Sequence, residues 1–166
     1  YVGSLHGSFH YDDSHSVEGN PAIRHLANIP SFWTDPTTSS FIPENRVYRP
    51  MVYTLYAFWW LIGGGQTWPF HIAKMLMHAG VCLALFLIWR RLWSEAGWFP
   101  VRDLKIKLPL VSHVFTLNPE WAALFLAGLF AIHPACSECV DYISATTSLQ
   151  CSLFYVWAFV FYLWGR

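Results

Sequence analysis

Residues 68–93 read Trp-Pro-Phe-His-Ile-Ala-Lys-Met-Leu-Met-His-Ala-Gly-Val-Cys-Leu-Ala-Leu-Phe-Leu-Ile-Trp-Arg-Arg-Leu-Trp. Pro69 suits the first turn of a helix, 81–89 is strongly apolar, and Arg90-Arg91 mark its end. A run of this length spans a hydrocarbon layer of about 30 Å. His71, Lys74 and His78 fall three and four apart, on one face. The chain as a whole agrees with a membrane reading: 55% hydrophobic, 19% aromatic and only 12% charged, with ten Trp and thirteen Phe. Its net charge is zero, which argues against nucleic acid as a partner.

Outward from this span, two more are predicted, at 119–133 and 150–165, giving three spans within 68–166. The loop 94–118 carries Arg102, Lys105 and Lys107, and with Arg90, Arg91 and Arg166 these fall on one side if the spans alternate. The positive-inside rule makes that side cytoplasmic. The polar segment 133–149, with Glu138 and Asp141 three apart, then faces the other way as a short amphipathic helix.

Upstream, residues 1–67 form a polar loop with an apolar run at 48–62. That run is too short to span; Pro50 opens it and Gly63-Gly64-Gly65 stops it, so it is read as an interfacial helix. The loop's prolines and aromatics predict an ordered segment of short helical turns. The fold expected is all-α and integral to the membrane, a polytopic helical bundle fragment with a long extracytoplasmic first loop. The chain lacks an initial Met and Arg166 follows closely on an apolar run, so it is read as a piece of a longer protein.

Within the loop, Asp12 and Asp13 are adjacent carboxylates in apolar surroundings. They cap a turn or take part in chemistry. In extended backbone they would point opposite ways, so that one alone reaches a site. Arg49, beside Pro50, either grips a phosphate or anchors the chain at lipid headgroups. Lys74 either snorkels or pairs with an acid. His71 and His78, seven apart, share a face without forming one metal site; His133 can join one of them, and all three also fit as hydrogen-bonded structural histidines. No metal site is assigned. Cys82, Cys136, Cys139 and Cys151 lack the spacing of a metal framework and are read as small apolar residues.

A set of motifs then falls in one order: Phe9-His10-Tyr11-Asp12-Asp13 with Asn20-Pro21, Phe32-Trp33, Tyr48-Arg49-Pro50, Pro69-Phe70-His71 with His78, Leu129-Phe130-Ala131-Ile132-His133-Pro134, and Glu138 with Tyr142-Ile143-Ser144. This order resembles the N-terminal membrane region of the polytopic O-mannosyltransferase-like proteins with tetratricopeptide repeats. They are glycosyltransferases of the GT-C type. The resemblance implies a transmembrane helix before residue 1, with 1–8 as its outer end, and more spans and a repeat domain after Arg166. It implies a polyprenyl-phosphate-linked, mannose-like donor and a hydroxyl acceptor on protein Ser/Thr or on a glycan. Asp12 or Asp13 is then the general base, or binds a divalent metal that serves as one. Arg49, His71, His78, His133 and Glu138 are the candidate substrate and phosphate contacts. The membrane is the bacterial inner membrane or that of the endoplasmic reticulum, with lipid as the surrounding partner.

The sequence departs from the resembled pattern at Thr146-Thr147-Ser148-Leu149, where an Arg is expected, and at Lys74, where a neutral residue is expected. These changes raise an alternative: a catalytically inactive relative that packs with other membrane subunits as an accessory protein.

Overall fold

The computed structural model describes Gly3, Leu5 and residues 7–95, 105–106, 115–116 and 119–166. Six α-helices occur among them: α1 Ile29–Thr34, α2 Pro50–Gly63, α3 Trp68–Glu95, α4 Pro119–Ala131, α5 Ser137–Asp141 and α6 Thr146–Trp164. One two-residue antiparallel ladder joins Lys105–Ile106 to Phe115–Thr116. Most of the loop 94–118, with Arg102 and Lys107, lies outside the described residues, as do Tyr1, Val2, Ser4 and His6 of the predicted outer helix end.

α3 and the stretch 143–164 ending in α6 are each long and apolar enough to cross a membrane. A third crossing results if Glu120–Ala131 and Pro134–Asp141 form one bent span. α3 has 28 residues, about 42 Å at 1.5 Å per residue. α2 has 14 residues, about 21 Å, short of the hydrocarbon thickness. The protein is therefore a helical membrane protein.

The chain divides into two compact units: residues 1–78 with 137–151, and residues 79–136 with 152–166. In the first, prolines set the local structure. Pro21, Pro36, Pro43 and Pro50 each begin a helical turn, where the missing N–H costs nothing. Asn20, buried, holds the loop together: its Oδ1 accepts Ala22 N–H at 3.0 Å, and its amide donates to the Ser16 and Thr38 carbonyls. α2 ends because Gly64 adopts φ +58°, a left-handed position that glycine takes without a Cβ penalty. The core is aromatic. Tyr56 sits against Tyr53, Trp59 and Phe70 at centroid distances of 5.7–5.8 Å, with Val17, Ile23, Phe32 and Ile143 in the same cluster.

In the second unit α3 and α6 run parallel. Trp157 Nε1 donates to the Gly80 carbonyl at 3.1 Å, and one end carries Arg91 over the Trp164 ring at 5.3 Å. A Cβ at Gly80 would lie 2.9 Å from Leu153 Cδ1, so glycine permits this approach. Ala84, Ile88 and Val160 fill the contact between them.

Candidate active site

The site belongs to the first unit and starts from one unusual backbone position. Tyr11 has φ +48°, the left-handed region, in a residue that carries a Cβ. Such a position costs about 1–2 kcal/mol. It turns the chain so that Asp13 N–H donates to the His10 carbonyl and Ser14 N–H to that of Tyr11. A π-helical turn, Ser14–Glu18, follows. The two acids do point different ways, but helical entry is the cause and not extended backbone, since Asp13 has φ −62° and ψ −29°.

Asp13 goes inward and is 1% exposed. Its Oδ1 accepts the Ser144 N–H at 2.9 Å and the Ser144 hydroxyl, and its Oδ2 accepts His10 N–H at 3.2 Å. Burial lifts its carboxyl above the usual carboxylate range, and the Ser144, His10 and Lys74 groups pull the other way without cancelling it. Asp12 goes outward, with its side chain 66% exposed. Its N–H donates to the Tyr142 hydroxyl at 3.2 Å, and its carbonyl accepts Ser16.

Tyr142 and Ser144 form the other wall, with Ile143 in the core behind them. Lys74, fully buried on α3, donates Nζ to the Tyr142 carbonyl. Tyr56 donates to the Ile143 carbonyl at 2.9 Å, and Thr146 Oγ1 donates to the same atom at 2.7 Å. The connector ahead of α6 thus has its backbone acceptors satisfied inside the protein. Thr146 is fully buried, and its hydroxyl is used in this way.

Between these walls lies a cavity of about 530 Å³. Asp12, His15, Glu44, Arg49, Tyr53, Glu138, Tyr142, Ser144 and Ser148 contribute to its lining. Of the residues singled out by sequence, Asp12, Arg49 and Glu138 come together here, and Asp13 stands behind Ser144. No described residue hydrogen-bonds or ion-pairs with the exposed Arg49 guanidinium. His71 and His78 are buried in α3 and do not line this cavity; neither His71 ring nitrogen has a hydrogen-bond partner among the described residues. His133 belongs to the second unit, where Nδ1 accepts Ala135 N–H at 3.2 Å. Among the described residues no three His, Cys, Asp or Glu side chains are grouped to hold a metal ion, so no step is assigned to one. No disulfide joins the four cysteines.

His15, Tyr142 and Ser144 gain roles that sequence reasoning did not assign. A signal existed for His15, which lies three residues after Asp12. Tyr142 and Ser144 depend on contacts 130 and 131 residues distant in the chain.

The cavity joins a carboxylate free to accept a proton to a guanidinium free to bind an anion. That pairing suits transfer of a group from a phosphate to a hydroxyl. No protein-family model matches the chain, and no solved structure matches it. Curated relatives do. Protein O-mannosyl-transferase TMTC4 of Homo sapiens is 26% identical, covering 98% of this chain and 21% of its own length. Protein O-mannosyl-transferase Tmtc3 of Drosophila melanogaster is 26% identical over 98% of this chain and 17% of its own length. Protein O-mannosyl-transferase TMTC2 of Mus musculus is 25% identical, with 98% and 17% covered. The chain spans about one fifth of the length of these relatives. Along 98% of its length the chain is thus similar in sequence to proteins named protein O-mannosyl-transferase.

Proposed function

We propose that this chain carries the reaction cavity of a membrane glycosyltransferase that moves a mannose-like sugar from a polyprenyl phosphate to a hydroxyl on protein Ser/Thr or on a glycan. The observation that carries it is Asp12 and Arg49 lining one cavity, with the names of the relatives in support. Asp12 takes the acceptor's hydroxyl proton. The acceptor oxygen bonds to the sugar's anomeric carbon, and the bond from that carbon to the phosphate oxygen breaks with its electron pair on the phosphate. Arg49 meets the charge that develops there. Asp13 is the anchor that fixes Asp12's backbone to Ser144. Glu138 contributes to acceptor recognition at the rim. His71, His78 and His133 receive no part in the step.

In this proposal the cavity faces the extracytoplasmic side. Supporting this, Arg91 and Trp164 pair at one end of the parallel helices α3 and α6, next to Arg90 and near the terminal Arg166. A second reading, an inactive accessory subunit of a larger membrane complex, is favoured by the neutral, fully buried Thr146 at the position where the resemblance calls for Arg.

The test is sugar transfer by full-length protein with Asp12→Asn. Loss of about 100-fold or more, with normal membrane insertion, is expected. Full transfer by Asp12→Asn sinks the assignment of Asp12. A wild-type protein that transfers nothing and co-purifies in fixed ratio with other membrane proteins favours the subunit reading.

A further inference from the structure

We infer that His15 is a positioning residue for Asp12: its Nε2–H holds carboxylate Oδ1 and leaves Oδ2 to take the acceptor's proton. This rests on Asp12 being the base. His15 is 8% exposed, sits in the π-helical turn after Asp12, and lines the same cavity. Its two nitrogens have different neighbours. Nδ1 lies 3.0 Å from the hydroxyl of buried Ser40. Nε2 has no hydrogen-bond partner among the described residues and lies 3.5 Å from Asp12 Oδ1.

The proton positions follow from Ser40. Its Oγ already accepts the Ile42 N–H at 2.9 Å. The hydroxyl proton of a buried Ser needs an acceptor, and Nδ1 is in reach. With Ser40 donating to Nδ1, the neutral imidazole carries its own proton on Nε2. That N–H is buried, and Asp12 Oδ1, 3.5 Å away, is the nearby acceptor. At 3.5 Å the contact is longer than a formed hydrogen bond, and catalytic contacts of this kind tighten when substrate is bound. An exposed carboxylate turns freely about its side-chain bonds. Holding one oxygen selects the orientation in which the other meets the acceptor. The remaining charged groups that line this cavity are Glu44, Arg49 and Glu138. None of them lies within ion-pair distance of His15.

The experiment uses full-length protein and two side chains that each reproduce half of the ring. The amide nitrogen of Gln reaches the place of Nε2, and the Asn amide reaches only that of Nδ1. His15→Asn is expected to lower kcat about 10- to 100-fold, the worth of a hydrogen bond to a charged group, with KM for the donor little changed. His15→Gln is expected to recover most of that loss. Equal losses in the two variants, or a loss confined to KM, overturn the inference. A second arm reads the ring without any transfer. In 15N-histidine-labelled protein, with the His15 signals assigned by their disappearance in His15→Gln, the neutral ring is expected to be protonated at Nε2. The Nε2 shift is expected to move in Asp12→Ala. A neutral ring protonated at Nδ1, or an Nε2 shift indifferent to Asp12→Ala, overturns the inference even in an active enzyme. If the ring behaves as expected in a protein that transfers no sugar, the contact stands and the transferase reading fails instead.

Discussion

Asp13 has exchanged water for Ser144, His10 and the nearby Lys74, and the exchange leaves its ionised form at a net disadvantage. Its folded-state pKa is raised above the ordinary 3.8. Between those two values the folded protein binds more protons than the unfolded chain, so stability falls as pH rises through the folded value. Below 3.8 the penalty is absent, and above the folded value it is fully present. Comparing wild type with Asp13→Asn in thermal melts from pH 7 down to 4 therefore has an expected sign: wild type gains relative to the variant on acidification. At neutral pH, Asp13→Asn is expected to cost about 1–3 kcal/mol, because the Asn amide sets a donor against either the His10 N–H or the Ser144 donors. A difference that stays flat with pH contradicts the burial argument. The adjacency of Asp12 and Asp13 was legible in the sequence, and so was the idea that the two side chains point different ways. Which of them lines the cavity was not legible. That choice is made by the left-handed turn at Tyr11 and by Ser144, 131 residues away.

At the scale of elements, proline and glycine were the readable signals. Pro50 begins α2 and the glycines end it because their backbone preferences act locally. The span in α3 was readable from apolar length alone. Its Lys74 was readable as a residue that snorkels or pairs with an acid, but its partner carbonyl, 68 residues away, was not. Lys74 and Asp13 stand in the same buried polar cluster, and each removes part of the other's cost of leaving water. Lys74→Met is expected to destabilise the protein by about 3 kcal/mol, because it strips a buried carboxylate of its nearby cation. The double variant Lys74→Met/Asp13→Asn is expected to be less damaged than the sum of the singles, with a coupling of about 0.5–3 kcal/mol in unfolding measurements. Strict additivity contradicts a shared cluster.

For the whole molecule, the membrane class was legible because composition and span length are global properties. Assembly of the cavity was not, since 9–16, Arg49 and 138–148 meet only through tertiary packing. The proposed sidedness makes a prediction at this scale. In sealed, oriented vesicles of protein whose native cysteines are replaced, Glu44→Cys is expected to react with a membrane-impermeant maleimide from the extracytoplasmic face. Arg166→Cys is expected to react only after permeabilisation. The reverse pattern contradicts the orientation. One residue ties these scales together. The Tyr142 hydroxyl receives the Asp12 N–H while its carbonyl receives Lys74. A single residue is therefore clamped at both ends, once by the loop that bears Asp12 and once by Lys74 of α3. A shift of α3 at Lys74 is felt at the Asp12 backbone through one side chain, so that residue 142 acts as a mechanical link between helix and loop.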